Sequence, residues 1–270
     1  MANRFQIFVD GSNLIGSIKK LGIKVSDYQN FYRYVFQESA RIWRSSFDED
    51  TEINARLIRV YWYQIGTMDD INLDDPKLQA NLKLRFDNDK ELKRFYMPLA
   101  AQQCPGQPSE KLSIEAWSMC FKEATEWYQE KKQGLYQSRG FNEAIRNSTD
   151  FVEMVECGHW KVNLLHRTLT EKGVDTALAV DMVTMSDNFE VAVLISGDAD
   201  SIPSVNYLKG RGKHVGVIDL IKGYPPERKG RQTSTKLQSA ADFVVPIYEM
   251  DLVKGKLGQP FDFLLNDRNS

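Results

Sequence analysis

The sequence predicts an α/β protein with a mostly parallel sheet, because two short apolar segments both end in aspartate. The segment Val193–Asp200 reads VLISGDAD, a run rich in Val and Ile that ends in Asp198 and Asp200. A run of this kind, bounded by Ser-Gly, is typical of a buried parallel strand. Phe5–Val9 is a similar run, followed directly by Asp10. Open α/β sheets bind ligands beyond the carboxyl ends of their strands, so we expect these acids to share one edge.

A third acidic segment lies between the two strands in sequence. Gly173–Met182 reads GVDTALAVDM, and it is apolar nearly all round, which predicts a buried helix. Asp175 and Asp181 would lie roughly 120° apart on such a helix, so they are not expected to bind one metal ion together. We favour Asp175 as the direct ligand because it opens the helix, with Asp181 as a supporting or second-metal residue. The reverse order stays open.

Clustered carboxylates repel one another, and a hard divalent cation such as Mg²⁺ or Mn²⁺ is the usual reason for bringing them together. Each acid also has a purely structural explanation. Asp175 could cap its helix, Asp200 or Ser201 could cap a helix that begins near Pro203, and Asp10 could form an Asx-turn. Acids at three predicted edges of one sheet favour a functional site over three separate explanations.

Four motifs together resemble the NYN domain, which belongs to the PIN-like metal-dependent ribonucleases. They are VDGSNL (Val9–Leu14), KGVDTALAVDM (Lys172–Met182), LISGDAD (Leu194–Asp200) and GKHVGV (Gly212–Val217). The resemblance extends to about Ile247, with a long unmatched middle. One departure is Ser201, where the family usually has an aromatic or other apolar residue.

The resemblance implies a three-layer α/β/α PIN-like (Rossmann-like) fold that hydrolyses RNA to products with a 5′-phosphate. A water activated by Mg²⁺ or Mn²⁺ would attack the phosphodiester bond. The implied catalytic residues are Asp10, Asn13, Asp175, Asp181, Asp198 and Asp200. Of these, Asp10, Asp198 and Asp175 would hold the metal ion, Asp200 would hold a water, and Asn13 would fix a carboxylate or a phosphate.

The remaining elements follow from the periodicity of apolar residues. We predict a single domain over residues 1–270, in which a helical insertion at about 72–150 interrupts the strand-helix alternation. The insertion contains charged helical stretches within Lys77–Tyr96, a breaker at Cys104–Pro108, and the helix Ser113–Gln133, whose aromatic stripe is expected to be core rather than a base-stacking surface. The other predicted helices are Asp27–Phe47 and Lys172–Met185, and the other predicted strands are Leu57–Tyr63, Phe151–Val155, Trp160–Leu164, Val191–Ser196, His214–Leu220 and Phe243–Ile247.

Basic residues near such an edge would hold the phosphates of a nucleic acid. The loop Lys222–Arg231 follows a predicted strand at the same edge, and its Arg228, Lys229 and Arg231 are the first candidates. Lys161 and Lys172 are further candidates for backbone contacts, and Ser196 offers a neutral hydrogen bond. An equally weighted alternative is that the loop is a solvated connector.

Composition narrows the class of protein without naming its substrate. The chain has 270 residues, 42% of them hydrophobic, a net charge of −2 and three widely spaced cysteines. A full core, a reducing cytoplasm and no contact with a membrane are expected, since no apolar run approaches about 18 residues and no leader precedes the first strand. The three histidines are scattered, and we interpret them as surface or packing residues.

Two other classes of function stay open at this point. The fold could bind RNA as a regulatory module with weak or no cleavage, or it could be a metal-dependent phosphatase that releases phosphate from small substrates. Single-stranded RNA is the expected partner, DNA stays open as a substrate, and so does the formation of a homo-oligomer.

Overall fold

The computed structural model describes residues 2–46, 54–226 and 233–261. The strands, in chain order, are β1 (Asn3–Asp10), β2 (Ile23–Val25), β3 (Ala55–Met68), β4 (Val152–Asn163), β5 (Thr168–Lys172), β6 (Val191–Ile195), β7 (His214–Ile221), β8 (Phe243–Tyr248) and β9 (Gly258–Pro260). The helices are α1 (Gly11–Leu21), α2 (Tyr28–Arg44), α3 (Pro76–Asn88), α4 (Lys90–Gln103), α5 (Ser109–Asn147), α6 (Val174–Thr184), α7 (Ile202–Gly210), α8 (Thr235–Ala240) and α9 (Glu249–Lys254). Within these residues, no helix has both the length and the apolar character that a membrane crossing requires.

The main sheet has seven strands in the order β5-β4-β3-β1-β6-β7-β8. β1 is parallel to β3 and β6, and the parallel ladder continues through β7 to β8, whereas β4 and β5 are antiparallel. β2 and β9 form a separate antiparallel pair. The protein is therefore an α/β protein with a mostly parallel sheet in a three-layer α/β/α arrangement, as the sequence predicts.

The chain divides into two compact units, whose boundaries fall inside β3, α5 and β4. The first unit comprises Met1–Gln64, Phe141–Gly158 and Gly173–Ser270, and the second comprises Ile65–Gly140 and His159–Lys172. Each unit has a hydrophobic core of its own.

In the first unit, the pleat of β1 distributes its side chains to two helical layers. Phe5, Ile7 and Val9 join the core on the face covered by α1 and α2. Phe8 points to the other face and meets Phe189 edge to face, at 5.7 Å between ring centroids. Helix α6 contacts β1 and α7 on that side. β1 is thus buried on both faces, which explains its uninterrupted apolar run.

The second unit contains α3, α4 and most of α5. The helical stretches predicted within Lys77–Tyr96 are confirmed as α3 and α4, which meet at Asp89. The Asp89 carboxylate accepts hydrogen bonds from the backbone N–H groups of Glu91 and Leu92, both at 3.0 Å, and so caps α4. The breaker at Cys104–Pro108 separates α4 from α5, as predicted, but α5 is far longer than Ser113–Gln133.

The aromatic stripe of α5 is core, as predicted. Ala116, Ala124 and Tyr128 are buried in the cluster of the second unit, and Trp117 and Phe121 pack against it. The Tyr128 hydroxyl donates to the carbonyl oxygen of Asp69 at 3.0 Å and accepts from the N–H of Ile71 at 2.9 Å. These bonds tie α5 to the segment that follows β3.

Three further predictions need correction. Phe151–Val155 and Trp160–Leu164 are parts of one strand, β4, and β5 was not predicted, because its polar sequence TLTEK carries no apolar signal. The segment after Asp10 is the start of helix α1 rather than an isolated turn. Helix α6 is not buried all round: one stripe, Val174, Leu178 and Met182, is buried, whereas Val180 is 52% exposed.

Gly11 is required where α1 approaches β3. A Cβ atom at Gly11 would overlap the ring nitrogen of Trp62 and lie 2.7 Å from the carbonyl oxygen of Tyr63. Both groups are buried, so neither can easily move away. The N-terminus of α1 therefore lies closer to the sheet than any other residue type would allow at this position.

We expect Gly11→Ala to lower the free energy of unfolding by about 1–3 kcal/mol, because the new methyl group overpacks the junction of α1 and β3. Gly16→Ala, in the same helix, is the matched control, since a Cβ there meets nothing within 4 Å. The control should be stabilised by about 0.5–1 kcal/mol through helix propensity. Urea unfolding of both variants measures the difference, and equal effects would contradict the close approach.

Candidate functional site

Asp10 ends β1 and caps α1, so its carboxylate lies at the carboxyl edge of the sheet. Its Oδ1 accepts from the backbone N–H of Asn13 at 2.9 Å, and the Asn13 side-chain amide donates to Oδ2. Asp10 is only 2% exposed. Burial raises the pKa of Asp10, the bonds from Asn13 oppose that rise, and the charge of Asp198 adds to it. Asp10 thus caps α1, where the sequence suggested only an Asx-turn, and it also interacts electrostatically with a second carboxylate.

Asp198 and Asp200 follow β6, next to β1 in the sheet. The parallel register places Val9 opposite Ile195, so β1 and β6 end at the same edge. The N–H of Asp198 donates to the buried Ser196 hydroxyl at 3.2 Å, and the carboxylates of Asp198 and Asp200 are exposed. Helix α7 receives no side-chain cap from Ser201. These two acids are therefore presented to solvent at the sheet edge.

Asp175 lies in the first turn of α6 and interacts with the same acids. Its helix is capped by Gly173, whose φ of 92° is a left-handed conformation, and not by the Asp175 side chain. Burial raises the pKa of Asp175, and the charges of Asp10, Asp198 and Asp200 raise it further. We call Asp10, Asp175, Asp198 and Asp200 the acidic cluster, since their charges act on one another.

Asp181 has a different partner. The Tyr63 hydroxyl donates to Asp181 Oδ2 at 2.9 Å. Burial raises the pKa of Tyr63 well above its usual range, and the bond to Asp181 raises it further, so the phenol keeps its proton. The charge of Asp181 is not among the causes that raise the pKa of Asp10 or Asp175. Asp181 is thus hydrogen-bonded to β3, whereas Asp175 interacts electrostatically with the acidic cluster.

The acidic cluster has the donor chemistry of a magnesium site without the closed geometry of one. Its side chains offer only carboxylate oxygens, the ligands that hard divalent cations prefer. Across residues 2–46, 54–226 and 233–261, however, no group of three His, Cys, Asp or Glu side chains is arranged to hold a metal ion. Three of the four carboxylates are exposed. A shared cation would therefore require these side chains to turn toward it.

The basic residues foreseen as phosphate ligands fall into two groups. Lys161 and Lys172 are exposed on the β4–β5 hairpin of the second unit, where Lys172 pairs with His159 and Lys161 with Thr170. The charge of Lys161 contributes to lowering the pKa of Asp69. Arg228, Lys229 and Arg231 lie outside the described residues.

The histidines have local partners in their own units. His159 is hydrogen-bonded to Thr67 through Nδ1 at 2.9 Å and to Asp69 through Nε2 at 2.7 Å. His166 pairs with Asp89 at 2.9 Å, and His214 meets the ring of Trp43 edge to face. These contacts agree with the interpretation of all three histidines as surface or packing residues.

Sequence reasoning missed three polar residues that shape this edge. Tyr63 gives no signal beyond its place in an aromatic strand, yet it binds Asp181. Ser17 and Thr233 are buried beside Asn13 and Ser196 in a small pocket. Their spacing in the sequence carries no motif, because the fold alone brings them together.

Comparison with known proteins finds one family model that matches part of the chain. Residues 124–248 match the model of the NYN domain, and this range contains every member of the acidic cluster except Asp10. No curated protein matches the chain. A solved structure, described as a protein of unknown function, VPA0982, from Vibrio parahaemolyticus RIMD 2210633, is similar with 17% identity and a TM-score of 0.42. The match covers 91% of this chain and 93% of that one. Residues 124–248 are thus similar to an NYN domain, the family that the motifs of the sequence resemble.

Proposed function

We propose that the protein is a metal-dependent ribonuclease whose active centre is the acidic cluster. NYN domain proteins are generally nucleases and act on nucleic acid. The observation that carries the proposal is the mutual repulsion of the cluster, in which three other acids raise the pKa of Asp175. Such repulsion weakens the fold unless a cation relieves it, so its presence at a ligand-binding edge favours a functional role.

Asp10, Asp175 and Asp198 would hold Mg²⁺ or Mn²⁺. A bound ion of this kind supplies a water of lowered pKa and offsets negative charge on the phosphate. Asn13 fixes the Asp10 carboxylate through both its backbone N–H and its amide. Asp200 would accept a hydrogen bond from the attacking water and orient it toward the phosphorus atom. Ser196 steadies the backbone at Asp198 through its hydroxyl.

The proposed substrate is single-stranded RNA, with phosphates held by Lys161, Lys172, Arg228, Lys229 and Arg231. We also propose that the protein acts in the cytoplasm. Cys104, Cys120 and Cys157 are free thiols, which fits a reducing compartment. We propose that the whole chain is one NYN/PIN-like domain with a helical insertion.

A second candidate is an RNA-binding module that does not cleave. The observation that favours it is the lack, among the described residues, of three acids already arranged around a metal site. The two candidates differ in one result, since only the nuclease shortens RNA when Mg²⁺ or Mn²⁺ is added. A phosphatase would instead release inorganic phosphate from small substrates.

The test is incubation of the pure protein with end-labelled RNA and DNA in Mg²⁺, Mn²⁺ or chelator. We expect metal-dependent shortening of RNA to products with a 5′-phosphate. Asp198→Asn should reduce this cleavage by at least about a hundredfold, because the amide keeps the shape but loses the charge. Asp187→Asn is the matched control, since Asp187 is exposed and pairs with Arg211 outside the cluster. Cleavage by Asp198→Asn at the parental rate would contradict the assignment.

Asp175→Asn and Asp181→Asn separate the two acids of α6. We expect the first to weaken Mn²⁺ binding, measured by calorimetry, far more than the second. Without metal, Asp175→Asn should raise the melting temperature above pH 6, because the raised pKa of Asp175 means that its ionised form is disfavoured in the folded state. Asp181→Asn should lower the melting temperature, because it weakens the bond from Tyr63. Equal metal affinities for the two variants would refute the distinction.

Replacing Arg228, Lys229 and Arg231 together with Ala tests the loop as a phosphate site. If all three contact phosphates of a single strand, the slope of log affinity against log salt should fall by about 2, since each contact contributes roughly 0.7. Fluorescence anisotropy with a labelled RNA at several salt concentrations measures the slope. An unchanged slope would make the loop a connector, and metal binding should be unaffected in either case.

A further inference from the structure

A neutral pocket lies beside the acidic cluster in the first unit. Its polar lining consists of Asn13, Ser17, Ser196 and Thr233, and its apolar lining consists of Ile195, Ile218 and Leu220. Ser17, Ser196 and Thr233 are 8%, 4% and 7% exposed, so their hydroxyl groups belong to the pocket wall rather than to the open surface. Among the residues that the structure describes, no charged side chain lines the pocket. These hydroxyl and amide groups suit a small neutral polar group.

The hydrogen bonds of the wall leave acceptors facing this pocket. Thr233 donates its hydroxyl proton to the carbonyl oxygen of Ile218 at 2.9 Å, so the lone pairs of Oγ1 remain for an incoming donor. The Asn13 amide nitrogen is turned to Asp10, which leaves Oδ1 as its free polar atom. A phosphodiester has no proton to donate to such acceptors. A hydroxyl group has one.

Asn13 links the pocket to the acidic cluster, because one amide group serves both. A hydroxyl in the pocket would thus lie one side chain away from the Asp10 carboxylate. In a nucleic acid, the hydroxyl nearest to a backbone phosphate is the ribose 2′-OH, which both donates and accepts hydrogen bonds and which DNA lacks. Ser196 can donate a hydrogen bond to the 2′-oxygen, because Ser196 Oγ accepts from the backbone N–H of Asp198 and keeps its own proton.

We propose that the neutral pocket receives the ribose 2′-OH of the nucleotide beside the scissile phosphate, and that Thr233 thereby makes the protein select RNA over DNA. This inference rests on the proposed function, since the acidic cluster must bind the adjacent phosphate. Thr233 is a specificity residue in this arrangement and takes no part in the chemical step. The pocket requires a donor from the sugar, so a sugar that can only accept should be rejected as DNA is.

The test compares three single-stranded oligonucleotides of one sequence, with 2′-OH, 2′-H or 2′-fluoro sugars. Binding is measured by anisotropy in Ca²⁺, a hard cation that can join carboxylates to a phosphate, and cleavage is measured in Mn²⁺. The parental protein should prefer the 2′-OH strand by about three- to tenfold in both assays, since one hydrogen bond is lost in each of the other strands. The 2′-fluoro strand keeps an RNA-like sugar but cannot donate, so it should behave as the 2′-H strand does.

Thr233→Val removes the hydroxyl and nearly keeps the shape, so it should abolish the preference for 2′-OH without weakening binding of the 2′-H strand. Thr233→Ser retains the hydroxyl and should retain the preference, which shows that the effect does not come from a damaged fold. Thr235→Val is the matched control, because Thr235 is exposed and does not line the pocket. A parental preference that survives in Thr233→Val would overturn the inference.

Failure of the inference and failure of the proposed function give different results. Equal cleavage of 2′-OH and 2′-fluoro strands by the parental protein would remove the pocket's role and leave the nuclease in place. A Thr233-dependent preference in binding, with no cleavage in any metal, would support the pocket and remove the nuclease.

Discussion

The contact of α1 with β3 at Gly11 is the constraint on which the rest of the site depends. The register places Asp10 opposite Tyr63, and the carbonyl oxygen of Tyr63 lies where a larger residue at position 11 would need space. This close approach fixes the helix that Asp10 caps. The phenol of the same tyrosine reaches Asp181 in α6, the helix whose first turn carries Asp175. One strand residue therefore determines where two acidic segments lie.

The acidic cluster works against the stability of the fold that carries it. Burial and the neighbouring charge of Asp198 raise the pKa of Asp10, although two bonds from Asn13 favour its ionised form. A raised pKa means that ionisation costs more in the folded than in the unfolded chain, so this contribution destabilises the fold at neutral pH. The repulsion would decrease if Asp175, Asp198 and Asp200 turned apart, and these three acids are the exposed ones.

The sequence predicts those parts of the fold that carry a periodic apolar signal. β1, β6, β7 and β8 follow from their apolar runs, and the acids at their ends follow from the rule for open sheets. β5 could not be predicted, because its sequence is polar and its stability comes from pairing with β4. The partial exposure of α6 could not be predicted either, because an apolar sequence does not specify how many of its faces are covered by other elements. The partners of Asp175 and Asp181 depend on side-chain directions that spacing alone leaves open.

Asn13 shows why the charged and neutral parts of this edge belong together. An amide has one donating and one accepting end, and a carboxylate only accepts, so the pairing with Asp10 must use the nitrogen. The oxygen is then necessarily directed away from Asp10, where Thr233 and Ser196 complete a wall of neutral groups. An aspartate at position 13 would add charge to the cluster and remove the donor. An aliphatic residue would keep the backbone bond to Asp10, but it would remove the side-chain donor to Oδ2 and the acceptor beside the pocket. The amide is the side chain of this size that serves a carboxylate on one side and a hydroxyl on the other.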